Sequence, residues 1–165
     1  MKQPEIRFRE IVTNQDIEFV REIVNSTGFF HDYEINIAVE LVEETIIKGS
    51  EEGYRFVFAD YKDKPIGYCC YGLIPCTKSS YDLYWIAVHN NYRGKGIGKA
   101  LLNKTELAIK KLGGTAIFIE TSSKELYKPT RQFYLNTGYV TEVVIKDFYD
   151  AGDDKYLFSK RINEL

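Results

Sequence analysis

The stretch His89-Asn90-Asn91-Tyr92-Arg93-Gly94-Lys95-Gly96-Ile97-Gly98 holds residue types suited to gripping an anion with backbone amides. An aromatic and β-branched run ends at about Val88, glycines follow, and a helical apolar period starts at about Gly96. A helix start presents unpaired N–H groups and a partial positive charge. Glycines let that backbone come close to a ligand, and Arg93, Lys95 and Lys99 add full charges. Together they form a cradle for a diphosphate. Spacing argues against two better-known glycine loops. A Walker A loop needs four residues between its first Gly and Gly-Lys, then Ser or Thr for Mg²⁺; only three separate Gly94 from Gly98-Lys99, and Ala100 follows. A dinucleotide fingerprint needs Gly-x-Gly-x-x-Gly inside a βαβ unit, and Gly94-Lys95-Gly96-Ile97-Gly98 is one residue short.

The elements that must position this loop follow from periodicity. Ile6 to Val12 has strand character, and Thr13, with Asp16 three residues on, resembles a helix cap. Ile17, Val20 and Val24 keep helical spacing until Gly28. A second helix after Asp32 carries the stripe Ile35, Ala38, Val39, Val42 and Ile46, and stops at Gly49. Tyr54–Tyr61 and Ile66–Ile74 read as an antiparallel hairpin around Lys62-Asp63-Lys64-Pro65. Tyr81–Val88 is a third strong strand. Its alternation sends Tyr84 and Ile86 to one face, Trp85 and Ala87 to the other. After the loop, Ile97, Leu101, Thr105, Ala108 and Leu112 share a helical face that ends at Gly113-Gly114. Thr115–Glu120 is a strand, and Pro129 opens a short helix that ends near Gly138. Tyr139–Ile145 and Lys155–Ser159 close the chain as a hairpin around Asp150–Asp154. The order β α α β β β α β α β β predicts an α/β (α+β) fold, a mixed sheet with helices packed on it.

Bulk properties narrow the function. The 165 residues suit one domain, 1–165, with 44% hydrophobic and 28% charged residues. A net charge of −2 offers no basic surface for nucleic acid. Cys69, Cys70 and Cys76 are odd in number and crowded, which suits buried thiols in a reducing compartment rather than disulfides or a metal site. Met1–Glu5 has no apolar signal core and no apolar run approaches a membrane span, so a cytoplasmic location without membrane attachment is expected.

Arg93, Gly96 and Gly98 fit Arg/Gln-x-x-Gly-x-Gly/Ala, and Phe133-Tyr134-Leu135-Asn136-Thr137-Gly138-Tyr139 adds an aromatic-Tyr pair followed by Gly and an aromatic. With the element order, these segments resemble the GNAT superfamily of acyl-CoA N-acyltransferases over nearly the whole chain. The resemblance implies a mostly antiparallel sheet with helices on both faces. It also implies acetyl-CoA as co-substrate, no metal, and a small-molecule amine or protein N-terminus as acceptor. The diphosphate would sit on Arg93, Gly94, Lys95, Gly96, Ile97, Gly98 and Lys99, and the pantetheine arm along the backbone of Ile86, Ala87 and Val88. A backbone N–H near Val88 would polarise the thioester carbonyl.

Tyr134 then looks like the general acid, because a phenol of pKa about 10 is protonated at neutral pH and can serve the departing sulfur. Glu120, at the end of its strand, looks like the base, with Asp82 and His89 as alternatives. Many family members carry Asn where that strand exits; here Thr121, Ser122 and Ser123 stand there instead. The acceptor would enter between the loop joining the first two helices and the final hairpin, where Phe29, Phe30 and Asp153 stand, with Tyr84 on the third strong strand. Aromatics beside carboxylates suit a cationic amine. A homodimer is a family-level expectation. Two alternatives stay open. A non-catalytic CoA-binding sensor would keep the Arg93 loop without needing Tyr134, and a nucleotide-binding regulatory domain would prefer ATP to CoA.

Overall fold

The computed structural model describes residues 5–162. Met1–Pro4, read above as lacking a signal core, lie outside them. The elements are β1 (Arg7–Arg9), α1 (Asp16–Ser26), α2 (Asp32–Lys48), β2 (Arg55–Tyr61), β3 (Lys64–Leu73), β4 (Ser80–Val88), α3 (Ile97–Lys111), β5 (Ala116–Ser122), α4 (Lys128–Asn136), β6 (Val140–Asp150) and β7 (Asp153–Arg161). The expected order is therefore present, with added single-turn 3₁₀ helices at Asn90–Tyr92 and Glu125–Tyr127. The strand order is β1-β2-β3-β4-β5-β7-β6. β4–β5 is parallel, while β1–β2, β2–β3, β5–β7 and β6–β7 are antiparallel.

The chain divides into two compact units, Met1–Gly72 with Trp85–Ala108 and Leu73–Tyr84 with Ile109–Leu165. In the first, Val20, Ile23 and Val24 of α1 and Ile35, Ala38, Val39 and Val42 of α2 pack on Phe56, Phe58, Tyr68, Cys70 and Ala87. Gly67 lies on the other face of β3 from Tyr68, by alternation. A β-carbon on Gly67 would stand 3.0 Å from Leu101 Cδ1 of α3 and 3.0 Å from the Ala87 carbonyl, so only glycine admits that approach. Helices thus cover both faces of this unit's strands, as expected. The β2–β3 hairpin turns on Lys62 and Asp63, with φ of 49° and 61°. Positive φ at both turn residues is the geometry that matches strand twist in a two-residue hairpin.

In the second unit, β5 pairs along its whole length with β7, from Ala116↔Arg161 to Ser122↔Lys155. Its core holds Ile117, Ile119, Phe158, Tyr134 and Tyr139. Gly114 lies so close to Ile109 and Tyr81 that any side chain would clash, which explains its place after α3.

Several expectations need correction. β1 is three residues, not Ile6–Val12, because Thr13 N–H and Oγ1 turn to donate to Asp16 Oδ2. Thr13 therefore does not cap α1, whose cap position is Gln15. Ile46 and Leu112 are exposed, so the α2 and α3 stripes end a turn earlier than the periodicity suggests. β3 begins at Lys64 and takes in Pro65, tolerated because Pro65 faces Asp60 at a register irregularity. Cys69 and Cys70 are buried but Cys76 is exposed, in a turn with φ of 65°. β6 runs on to Asp150, past the expected end at Ile145.

Candidate active site

The Arg93 loop belongs to the first unit. His89 N–H donates to the Ile66 carbonyl at 2.8 Å, so β4 stays tied to β3 one residue past its end. The chain then tightens. Tyr92 N–H returns to the His89 carbonyl at 2.8 Å, and His89 Nδ1 accepts from Asn91 N–H at 3.2 Å. Asn90 N–H donates to Ser26 Oγ at the end of α1. Gly94 and Gly96 have φ of 73° and 78°, with open space around a notional β-carbon. Here glycine is required by backbone conformation rather than by crowding. Ala100 N–H then closes the first turn of α3 on the Gly96 carbonyl, leaving the amides of Ile97, Gly98 and Lys99 beyond the reach of intrahelical partners.

Arg93, Lys95 and Lys99 are exposed around this helix start, and no acidic residue stands in the first turn of α3 to compete for them. The Arg93 guanidinium lies 5.1 Å from the centre of the Phe29 ring, and Lys95 Nζ lies 5.3 Å from that of Tyr92. Phe30 packs on Trp85 with ring centres 4.8 Å apart. Both phenylalanines singled out for an acceptor make packing contacts within this unit. Phe29 shelves the loop arginine, and Phe30 seals the core beside β4.

The titratable groups of the second unit lie on two faces of its strands. Asp82 stands opposite Phe118, and Phe118 and Glu120 alternate onto one face, with Leu157 and Val143 in the Glu120 row. Glu120 Oε1 is 2.7 Å from Lys155 Nζ. Burial, and then the nearby Glu120 charge, raise the Asp82 pKa above the ordinary carboxylate value; Lys155 opposes them. Tyr134 lies on the other face. It is 4% exposed, with its ring centre 5.5 Å from Phe133, 5.9 Å from Tyr139 and 5.7 Å from Phe158. The structure therefore brings Asp82 and Glu120 together and sets Tyr134 across the sheet from them. Tyr84 is exposed on β4.

The family model for the acetyltransferase (GNAT) domain matches residues 52–141. This chain belongs to the GNAT family of acetyltransferases. A Desulfovibrio desulfuricans structure assigned to the same family is 44% identical, with a TM-score of 0.94 over 96% of this chain and 99% of that one. More distant structures share the fold. An aminoglycoside 6′-N-acetyltransferase complexed with coenzyme A is 18% identical, with a TM-score of 0.74 over 94% and 97% of the two chains. The ribosomal-protein-S18-alanine N-acetyltransferase of Escherichia coli is 16% identical, with a TM-score of 0.74 over 96% and 94%. The search of curated proteins finds no match.

Asp153, Ser122 and Ser123 of this GNAT chain were named from its sequence, but the contacts that hold them were not legible there. Asp153 is buried, accepting from Ser122 Oγ at 2.5 Å and Ser123 N–H at 3.2 Å, with Lys124 Nζ 3.6 Å away. Ser123 Oγ accepts from Asp154 N–H. Ser122 and Ser123 thus fasten the end of β5 to β7. Lys155, the ion-pair partner of Glu120, also lies 4.3 Å from the Phe148 ring centre. Only the aromatic richness of the last hairpin hinted at that contact. Among the described residues no helix is long and apolar enough to cross a membrane, and no group of three or more His, Cys, Asp or Glu could hold a metal ion.

Proposed function

We propose that this chain transfers an acetyl group from acetyl-CoA to a primary amine by direct attack on the thioester. One observation carries the reading: a left-handed glycine turn feeds directly into a helix N-terminus ringed by Arg93, Lys95 and Lys99. That arrangement suits a diphosphate and needs no metal to do so. The backbone of Ile86, Ala87 and Val88, leading into the loop, takes the pantetheine arm. The coenzyme A bound by a structural relative of the same fold supports this choice of co-substrate.

The chemistry requires a neutral amine and a protonated leaving thiol. The amine nitrogen bonds to the carbonyl carbon and gives up a proton to a carboxylate of the Asp82–Glu120 pair. The C–S bond breaks, and Tyr134 supplies a proton to the sulfur. Asp82, Glu120 and the exposed Tyr84 form an acidic, aromatic surface that favours a cationic acceptor. Relatives of the fold named for an aminoglycoside and for a protein alanine make a small-molecule amine and a protein N-terminus the acceptor classes to screen.

Isothermal titration tests the cofactor loop. Acetyl-CoA and CoA should bind the wild type, ATP should not, and Arg93→Glu/Lys95→Glu should lose acetyl-CoA binding while staying folded. Binding that survives the double charge reversal, or an absence of acetyl-CoA binding to folded wild type, removes the proposal.

The base is tested by the pH dependence of kcat/KM. A raised Asp82 pKa means that activity falls, as pH drops, above the range of an ordinary carboxylate. Glu120→Gln removes a negative neighbour, so the Asp82 pKa falls and the acid limb moves to lower pH. An acid limb erased by Glu120→Gln alone assigns the proton to Glu120. A limb unchanged in Asp82→Asn/Glu120→Gln excludes the pair.

A further inference from the structure

Three strands of the second unit carry charged side chains that step diagonally over one face. Asp82 of β4 lies opposite Phe118 of β5, Glu120 follows two residues on, and Ser122, two further, lies opposite Lys155 of β7. Alternation keeps Phe118, Glu120 and Ser122 on one face, with Lys155 beside them. Lys155 Nζ stands 2.7 Å from Glu120 Oε1 and 4.3 Å from the centre of the Phe148 ring. Its side chain is 13% exposed, whereas the lysines that pair with Glu44, Glu22, Asp153 and Glu125 are 50% to 72% exposed. An exposed pair swings in water and contributes little. This one is held by a ring on one side and a carboxylate on the other. The neighbouring groups leave the ammonium to Glu120. Asp153 already accepts from Ser122 and Ser123 and lies near Lys124. The Tyr149 phenol of β6 is pushed up in pKa by burial, then by the Glu120 and Asp153 charges, so it adds no charge of its own near neutral pH.

We propose that Lys155 is a positioning residue for the Asp82–Glu120 pair: its seated ammonium turns the Glu120 carboxylate toward β7 and offsets the charge that Asp82 faces, so that Asp82 is ionised when the amine arrives. The contact itself stands on the strand register and the ion pair; its role in catalysis rests on the acetyl-transfer reading above. Two carboxylates on one face oppose each other's ionisation, and a cation fixed beside them relieves that opposition. Asp82 shows the balance. Burial and the Glu120 charge raise its pKa, and Lys155 acts against both. With the ammonium removed, the two raising causes stand unopposed, so Asp82 holds its proton to higher pH. Methionine at this position keeps an apolar stem against Phe148 and loses the charge. Arginine keeps the charge, can pair with Glu120 and stacks on the ring.

The test titrates the Asp82 carboxyl of the full chain by carboxyl-carbon NMR, its signal assigned by its loss in Asp82→Asn. Lys155→Met should move the Asp82 midpoint to higher pH, and Lys155→Arg should leave it at the wild-type value. Glu120→Gln added to Lys155→Met should bring it back down, since the negative neighbour that Lys155 balanced is then gone. The acid limb of kcat/KM should move to higher pH in Lys155→Met and not in Lys155→Arg. Thermal melts check folding, and Lys155→Gln takes the place of Lys155→Met if the latter does not fold. A merely structural lysine would lower the melting temperature and leave the midpoint in place, which overturns the proposal. So does a midpoint that Lys155→Arg raises as far as Lys155→Met does, or an acid limb that stays in place while the midpoint moves. Acetyl-CoA titration keeps the two failures apart. Folded wild type that does not bind acetyl-CoA sinks the acetyl-transfer reading, whereas an unmoved midpoint in a chain that binds it sinks only the role of Lys155.

Discussion

Tyr134→Phe is expected to lower kcat by up to the roughly 10²–10⁴-fold typical of general acid catalysis, while the acetyl-CoA dissociation constant stays unchanged. The substitution removes one oxygen and keeps the ring. The ring is what Phe133, Tyr139 and Phe158 hold, at centre distances of 5.5 to 5.9 Å. The chain around it is fixed independently. Tyr139 N–H donates to the Tyr134 carbonyl at 3.1 Å, and Thr137 Oγ1 donates to the same oxygen at 3.0 Å. The fold should therefore survive with a loss of about 0.5–1.5 kcal/mol at most, the net worth of an ordinary hydrogen bond. The two measurements separate a proton donor from a core residue. A donor loses turnover with little change in stability. A core tyrosine loses some stability with no change in turnover, and that second pattern, in a folded variant, would remove Tyr134 from the reaction.

Much of this architecture was legible because it is written locally. The Lys62-Asp63 turn, the glycine loop and the stop at Gly49 depend on residues that are neighbours in sequence, and their φ values of 49° and 61°, 73° and 78°, and 79° match what local reading asks of them. The short β1 and the exposed Leu112 were not legible in the apolar periodicity. Periodicity could not know that Thr13 would turn to Asp16, or that α3 would end at Lys111 and leave Leu112 exposed just beyond it. The site shows the same division. The loop residues could be named from their spacing. The pairing of Lys155 with Glu120, and the holding of Asp153 by Ser122, depend on the β5–β7 register, which brings together residues about thirty apart. Phe29 was legible as an aromatic in an acidic loop, whereas its stacking against Arg93 depends on the fold.

Arg9→Met is expected to cost about 3–5 kcal/mol, a large share of the roughly 5–15 kcal/mol that holds a domain together. Arg9 Nε donates to Asp60 Oδ2 at 2.8 Å, and its two terminal nitrogens reach both oxygens of Asp16 at 2.6 and 3.0 Å. Asp16 is fully buried and Asp60 is 4% exposed, so neither can turn to water when the guanidinium is gone. Burial alone would lower the Arg9 pKa, but the bonds to the two carboxylates outweigh it and the pKa is raised. The guanidinium also stacks 4.3 Å from the Phe58 ring centre, which Met fills only in part. β1 has three residues and one neighbouring strand, so this ion triad is much of what ties it to the start of α1 and the end of β2. Arg9→Lys should rescue little, because a single ammonium cannot match the forked contacts. Asp16→Asn added to Arg9→Met should recover part of the loss, since it removes one of the two stranded charges, and the non-additivity of the cycle measures the coupling. Urea denaturation of wild type, Arg9→Met, Arg9→Lys, Asp16→Asn and the Arg9→Met/Asp16→Asn double variant gives these values directly. A loss below about 1 kcal/mol for Arg9→Met would mean that the triad contributes no more than a surface ion pair, and that the burial of Asp16 is sustained by Thr13 and the packing of α1 alone.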